Sequence, residues 1–191
     1  MKTSNMQTFK GIQFRIAENW LPVLPADGLP KTYLEVGTLC GINAIYFERL
    51  FGTHPDTKIY CIDPWDLLDD PKYGYKEAYN QKQNYSDYLE NIEASGKASK
   101  FTTIKGFSYE EIPKFAADFF DIIYIDANHG TEDVLEDTII SFRKLKQGGY
   151  MIFDDYQCPE TRLGIDVFRF AFKNKIKEIG MHNCQFFIQK L

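Results

Sequence analysis

Three carboxylates follow two predicted strands, and their spacing predicts a site for a metal ion. Asp126 follows the apolar run Phe120–Ile125, and Asp154 with Asp155 follows the run Tyr150–Phe153. If these runs are neighbouring parallel strands, their carboxyl ends meet at one edge of the sheet. Carboxylates that lie this close need a proton or a cation between them, and oxygen ligands with open positions suit Mg²⁺. We therefore predict that Asp126, Asp154 and Asp155 hold a divalent ion; the alternative is a set of solvated carboxylates that cap helices.

His129 lies three residues after Asp126, at the start of the next predicted helix. A neutral imidazole is well suited to accept a proton from a hydroxyl group near neutral pH. The sequence therefore predicts catalytic roles for His129 and Asp126 in preparing a substrate hydroxyl. A purely structural role of His129 at the helix start is the alternative.

A second group of candidate residues surrounds a glycine turn. A predicted strand containing Glu35 runs into Gly37-Thr38-Leu39-Cys40-Gly41, and an amphipathic helix follows. Gly37 permits backbone conformations closed to other residues and lets a ligand lie against the main chain. The next predicted strand, Lys58–Ile62, ends at Asp63, whose carboxylate suits a ribose diol. This strand–turn–helix–strand order predicts a nucleoside-binding unit.

The glycine turn does not fit a dinucleotide. The dinucleotide fingerprint needs three glycines so that bare backbone can meet a pyrophosphate, and this turn has two. Glu35, two residues before Gly37, would repel a pyrophosphate and instead suits a cationic ammonium group. A nicotinamide-dependent oxidoreductase is therefore disfavoured.

The pattern Glu35-x-Gly37-x-x-Cys40-Gly41 resembles motif I of the class I S-adenosylmethionine-dependent methyltransferases, particularly the catechol O-methyltransferase type. The segments YIDANH and GGYMIFDDY resemble the metal-binding pattern of that type and of the macrocin and novobiocin type of sugar O-methyltransferases. The stretch RLGIDVFR at positions 162–169 also resembles the sugar enzymes. Asp155 stands where the catechol enzymes usually have an amide-bearing ligand, and this departure leaves the substrate open.

The resemblance implies a cofactor, S-adenosylmethionine, and a set of residues that bind it. Phe107 and Ser108 would border the adenine. Trp65 would have one of two roles: it would contact the adenine or close the pocket, or it would be a core aromatic under the insertion. The full predicted cofactor set is Glu35, Gly37, Thr38, Cys40, Gly41, Asp63, Trp65, Phe107, Ser108 and Asp126. The implied function is O-methylation of a small hydroxylated acceptor with Mg²⁺ assistance. Transfer to nitrogen stays open, and a non-catalytic nucleoside-binding domain is the alternative function.

Alternating strand and helix patterns predict an α/β fold with a Rossmann-like, doubly wound, mostly parallel sheet of seven strands. The resemblance implies that the C-terminal hairpin, residues 177–189, adds an antiparallel strand. We expect a single domain over residues 1–191, with an N-terminal helical cover in residues 1–30 and an insertion near the cleft in residues 66–99. Within the insertion, residues 80–94 are predicted to be helical. A helix over 131–145 is expected to end at Gly148-Gly149.

Composition excludes several other classes. The 191 residues are 44% apolar and 26% charged, with a net charge of −5 and no basic cluster, so DNA and RNA are not expected partners. No apolar run is long enough for a membrane span or reads as a secretion signal, which predicts a cytoplasmic protein. The widely separated cysteines argue against structural zinc. Oligomeric state is open, a homodimer included.

Overall fold

The described strands form one mixed sheet. They are β1 (Thr32–Val36), β2 (Lys58–Asp63), β3 (Phe101–Lys105), β4 (Phe120–Ile125), β5 (Leu145–Phe153), β6 (Ile176–His182) and β7 (Gln185–Lys190). This computed structural model describes residues 9–69 and 80–191. The strand order is β3-β2-β1-β4-β5-β7-β6, and every neighbouring pair is parallel except β5–β7 and β6–β7. The predicted Rossmann-like α/β sheet with a C-terminal antiparallel hairpin is therefore confirmed.

Helices cover both faces of the sheet. They are α1 (Ile42–Leu50), α2 (Gln81–Ala94), α3 (Ser108–Glu111), α4 (Thr131–Phe142) and α5 (Pro159–Phe172). Side chains of α1 and α2 share one buried cluster with the sheet, and side chains of α4 and α5 share the other. Because β-strand side chains alternate between faces, neighbouring residues of one strand enter different clusters: Tyr33 joins the first and Leu34 the second.

The strand order reverses at β1, which lies between β2 and β4. Backbone hydrogen bonds continue past the ends of these strands. Gly37 N–H donates to the Ile62 carbonyl at 2.9 Å, Asp126 N–H to the Val36 carbonyl at 2.8 Å, and Asp154 N–H to the Ile125 carbonyl at 3.1 Å. The glycine turn and both predicted acidic segments are thus held at the same edge of the sheet, where ligands of such folds bind.

One predicted boundary is wrong. The helix expected over 131–145 ends at Phe142, and Leu145 already belongs to β5, where it pairs with Phe120 and is fully buried. Gly148 and Gly149 therefore lie inside β5 and do not end a helix. The β4–β5 register shifts between Phe120 and Ile122, so the glycines occupy an irregular part of the strand. Burial of Leu145 against the sheet outweighs its fit to the helical pattern.

The predicted N-terminal cover and insertion are described in part. Residues 1–8 and 70–79 fall outside the described chain. Residues 16–20 form a short 3-10 helix (Ile16–Trp20), and α2 occupies the second half of the insertion, with Asn80 as its N-cap accepting from Gln83 N–H. Among the helices of residues 9–69 and 80–191, none combines the length and apolarity of a membrane span.

Trp20 joins the N-terminal segment to the core. The side chain is fully buried, its ring lies 4.9 Å from that of Tyr124, and its Nε1 donates to Gln185 Oε1 at 3.0 Å. Neighbouring Leu21 is 51% exposed. These contacts make the segment around Trp20 part of the folded unit.

We expect Trp20→Ala to lower the free energy of unfolding by about 3–5 kcal/mol, the usual cost of truncating a buried aromatic. Leu21→Ala, the matched control at an exposed position, should change it by less than about 0.5 kcal/mol. Urea denaturation followed by circular dichroism measures both. Equal effects of the two substitutions would contradict a core role for Trp20.

Candidate active site

A cavity of about 440 Å³ opens at the carboxyl ends of β1, β2 and β4. Its lining includes most of the predicted site residues: Glu35, Gly37, Thr38, Cys40, Asp63, Phe107, Ser108, Asp126 and His129. Gly41, Trp65, Asp154 and Asp155 are outside that lining. Ile12 and Phe14 of the N-terminal segment and Leu68 and Gln81 of the predicted insertion also line it. Both segments thus contribute to the wall of the cavity.

The glycine turn has the backbone geometry that its sequence predicts. Gly37 and Gly41 adopt positive φ values of 84° and 76°, a region that favours glycine. A Cβ on Gly37 would collide with the carbonyl oxygen of Asp126, and one on Gly41 would lie 2.7 Å from Tyr88 Cδ2. Gly37 therefore permits the close approach of β1 and β4, whereas Gly41 permits the packing of α1 against α2.

Asp63 is buried and supports the glycine turn directly. One carboxylate oxygen accepts the backbone N–H groups of Thr38 and Leu39, each at 2.9 Å. The other accepts the N–H of Trp65 at 2.7 Å. Burial raises the pKa of Asp63, while these three N–H donors oppose the shift. The side chain that the sequence assigned to a ribose diol thus also fixes the shape of the turn.

Trp65 packs away from the cavity. Its side chain is fully buried, lies 4.8 Å from the rings of both Tyr85 and Tyr88, and donates from Nε1 to the Leu39 carbonyl at 2.7 Å. Of the two roles that the sequence left open, this placement matches the core aromatic. Trp65 therefore contacts the glycine turn through Leu39 without lining the cavity.

Glu35 is buried beneath the cavity between neutral donors. Its carboxylate accepts from the Tyr33 hydroxyl at 2.5 Å and from Asn43 Nδ2 at 3.1 Å. Burial raises the pKa of Glu35 to about 8, and the negative charge of Asp126 adds to the shift. A positive charge close to Glu35 would oppose this shift and favour the ionised carboxylate.

Phe107 and Ser108 lie together at the start of α3, on another wall of the cavity. Burial raises the pKa of Asp137 of α4 to about 7, and an interaction with the Ser108 side chain opposes this shift. The sequence analysis missed Asp137. Its position three residues after Val134, on the apolar side of the predicted helix, was the available signal.

Asp126, His129 and Asp155 form a compact cluster whose potential ligand atoms all lie within 4.8 Å of one another. His129 Nε2 is 3.1 Å from Asp155 Oδ2 and 3.7 Å from Asp126 Oδ1. Interaction with the Asp126 carboxylate raises the pKa of His129, with further contributions from Asp155 and Asp154. Burial raises the pKa of Asp126 to about 7 despite the neighbouring imidazole. The backbone of Asp155 is left-handed, with a φ of 49°.

Asp154 faces a different set of partners. It accepts from the Tyr124 hydroxyl at 2.6 Å and lies 3.3 Å from Gln185 Nε2. The same hydroxyl lies 3.0 Å from Asp126 Oδ2, so Tyr124 bridges Asp154 and Asp126. The structure brings two of the three predicted metal ligands, Asp126 and Asp155, together with His129. The third, Asp154, lies outside this cluster and contacts Tyr124 and Gln185. The bridge by Tyr124, which lies two residues before Asp126 and therefore faces the same side of the sheet, was missed from sequence.

Comparison with known families agrees with this architecture. Residues 34–156, more than half of the chain, match the family described as "Methyltransferase domain". The chain is also 28% identical over 150 residues to the uncharacterized protein R132 of Acanthamoeba polyphaga mimivirus. That match covers 76% of this chain and 60% of the relative, so the chain spans about 60% of the relative's length.

Solved structures share the fold at low sequence identity. The O-methyltransferase NovP superimposes with a TM-score of 0.65 at 18% identity, over 91% of this chain and 75% of that chain. TomG of Streptomyces achromogenes, solved with S-adenosylmethionine, gives 0.66 at 15% identity, over 91% and 79%. An O-methyltransferase of Bacillus cereus, solved with S-adenosylhomocysteine, gives 0.65 at 17%, over 92% and 80%. These structures show that the chain has the fold of O-methyltransferases. The match over residues 34–156 shows that the chain belongs to the methyltransferase-domain family.

Proposed function

We propose that this chain transfers a methyl group from S-adenosylmethionine to an oxygen atom of a small hydroxylated molecule, with assistance from a divalent ion. The observation that carries the proposal is that one cavity is lined by the glycine turn and by Asp126 and His129. A cofactor bound against the turn therefore shares its space with the groups that can prepare an acceptor. Methyl transfer from a sulfonium is a displacement, so alignment and acceptor deprotonation supply most of the catalysis.

The cofactor subsite consists of the turn and the carboxylates below it. Gly37, Thr38 and Cys40 present the turn backbone to the cavity. Glu35 would receive the ammonium group, and the pairing would lower the carboxyl pKa that burial has raised. Asp63 would keep the turn in shape and offer its remaining acceptor capacity to the ribose. Phe107 and Ser108 would border the adenine.

The acceptor side fits a divalent ion. Asp126 and Asp155 offer carboxylate oxygens, the ligands that Mg²⁺ prefers, and their potential ligand atoms are grouped with His129 within 4.8 Å. We assign the ion to Asp126 and Asp155, with Asp154 positioning Asp126 through Tyr124. When bound, the ion would lower the pKa of an acceptor hydroxyl and orient it.

His129 is the proposed general base. Its Nε2 would take the proton from the acceptor hydroxyl as the oxygen attacks the methyl carbon. The carbon–sulfur bond breaks, its electron pair stays on sulfur, and neutral S-adenosylhomocysteine is released. Asp126 and Asp155 flank the imidazole and would stabilise the imidazolium that forms, since a nearby negative charge favours the protonated ring.

Asp63→Asn should expose the double role of Asp63. The new amide would turn an N–H donor towards backbone N–H groups, so we expect the ligand-free protein to lose about 1.5–3 kcal/mol of stability and to bind S-adenosylhomocysteine more weakly. Chemical denaturation and titration calorimetry measure the two effects. Asp56→Asn, at an exposed position before β2, is the control. Weaker binding at unchanged stability would mean that Asp63 serves only the ligand.

EDTA should abolish methyl transfer from radiolabelled S-adenosylmethionine to a panel of hydroxylated compounds, and added Mg²⁺ or Mn²⁺ should restore it. Binding of S-adenosylhomocysteine should survive EDTA, because the ion serves the acceptor. With metal saturating, His129→Ala should lower the rate roughly 10²–10⁴-fold, the range for losing a general base. His182 lies at the end of β6 and is not among the cavity-lining residues. His182→Ala is therefore the control and should leave the rate unchanged.

Full activity in EDTA would show that methyl transfer does not need the ion. Full activity of the His129→Ala variant would show that His129 is not the general base. No binding of S-adenosylhomocysteine up to millimolar concentrations would refute the proposed function, and binding without transfer to any acceptor would support the non-catalytic alternative.

A further inference from the structure

Gln185 is a buried amide side chain at the first position of β7. β7 runs antiparallel to β5, and Phe186 pairs with Phe153, the last residue of β5. The first residue of β7 therefore lies where β5 ends, beside Asp154. A buried amide needs hydrogen-bond partners for both its oxygen and its nitrogen. Gln185 has a partner for each atom, one on either side.

The neighbours of Gln185 determine the orientation of its amide. The indole N–H of Trp20 can only donate, and it donates to Gln185 Oε1 at 3.0 Å. The amide nitrogen is therefore turned to the other side, where it donates to Asp154 Oδ1 at 3.3 Å. Without the indole N–H, the amide could turn its oxygen towards the carboxylate of Asp154, and two acceptors would face each other. Trp20 thus sets which end of Gln185 meets Asp154.

The series of hydrogen bonds continues from Asp154 to Asp126. The second carboxylate oxygen of Asp154 accepts from the Tyr124 hydroxyl at 2.6 Å, and that hydroxyl lies 3.0 Å from Asp126 Oδ2. The side chains of Trp20, Tyr124 and Gln185 are all buried, so bulk water competes little for these bonds. One continuous series thus runs from the N-terminal segment through the C-terminal hairpin to Asp126.

We propose that Gln185 and Trp20 are positioning residues for the ion site. They hold Asp154 in the orientation from which it acts on Asp126 through Tyr124. Neither Gln185 nor Trp20 lines the cavity, so their effect is indirect. Groups beyond the direct ligands of a metal ion orient those ligands and affect the affinity for the metal. The inference rests on the proposed function, because it concerns a carboxylate that we assign to the ion.

The test measures Mn²⁺ affinity by electron paramagnetic resonance, with and without S-adenosylhomocysteine. Gln185→Met removes both hydrogen bonds and keeps an unbranched side chain of similar size. We expect it to weaken Mn²⁺ binding roughly 3- to 10-fold, which is less than the roughly 10- to 100-fold cost of losing a group that contacts a ligand directly. The affinity for S-adenosylhomocysteine, measured by titration calorimetry, should stay unchanged.

Gln189→Met is the matched control on the same strand. Gln189 Nε2 donates to the Gly148 carbonyl at 2.9 Å, so this substitution also removes a hydrogen bond of a glutamine of β7. It should leave Mn²⁺ affinity unchanged. Circular dichroism checks the fold of each variant, and Gln185→Asn, whose shorter amide cannot reach both partners, serves if Gln185→Met does not fold.

A double substitution separates positioning from a general loss of packing. Trp20→Phe keeps an aromatic ring and removes the N–H, and we expect it to weaken Mn²⁺ binding. If Trp20 acts through the Gln185 amide, Trp20→Phe should cause no further loss of Mn²⁺ affinity in the Gln185→Met protein, because coupled residues are not additive. A loss of packing alone would have the same effect in both backgrounds.

Unchanged Mn²⁺ affinity of the Gln185 variant, or fully additive effects of the two substitutions, overturns the inference. A wild-type protein that binds S-adenosylhomocysteine but no Mn²⁺ overturns the assigned ion and the inference together. Failure of S-adenosylhomocysteine to bind overturns the proposed function, while the Mn²⁺ measurements without it still decide the inference. The failures are therefore distinguishable.

Discussion

The close approach of Gly37 to the backbone of Asp126 is the constraint on which the site depends. A side chain at Gly37 would collide with the Asp126 carbonyl, and the backbone bond from Asp126 N–H to the Val36 carbonyl fixes the same contact. The glycine turn and the proposed acceptor groups are therefore brought together by main-chain geometry. Cofactor and acceptor chemistry can share one cavity because two strands end side by side without a Cβ between them.

Asp63 shows how a group that we propose for ligand binding can also support the shape of the site. Its carboxylate accepts three backbone N–H groups in the ligand-free structure, so the turn has its shape before a cofactor arrives. A preorganised turn reduces the ordering that binding must supply. Trp65 completes the support by donating to the Leu39 carbonyl from the other side.

The sequence was sufficient for the sheet and for most of the residues that line the cavity, because strand periodicity and glycine turns are local signals. It could not decide which way Asp154 and Asp155 point. Both residues lie beyond the end of β5 at Phe153, and Asp155 has a left-handed backbone, so strand alternation does not set their directions. Asp154 turns towards Tyr124 and Gln185, while Asp155 reaches His129. Asp137 was missed because its raised pKa results from burial and from an interaction with Ser108 of a different element, which the local sequence does not show. The end of α4 was misplaced because tertiary burial of Leu145 decided it.

The left-handed backbone of Asp155 limits which residues this position accepts without strain. A φ of 49° is disfavoured for most side chains, and Asp and Asn are among the few that tolerate it besides glycine. Glycine offers no side-chain oxygen, so Asp and Asn are the residues that most readily combine this backbone with a side-chain oxygen. An exchange of Asp155 for Asn would therefore keep the backbone shape and remove one negative charge.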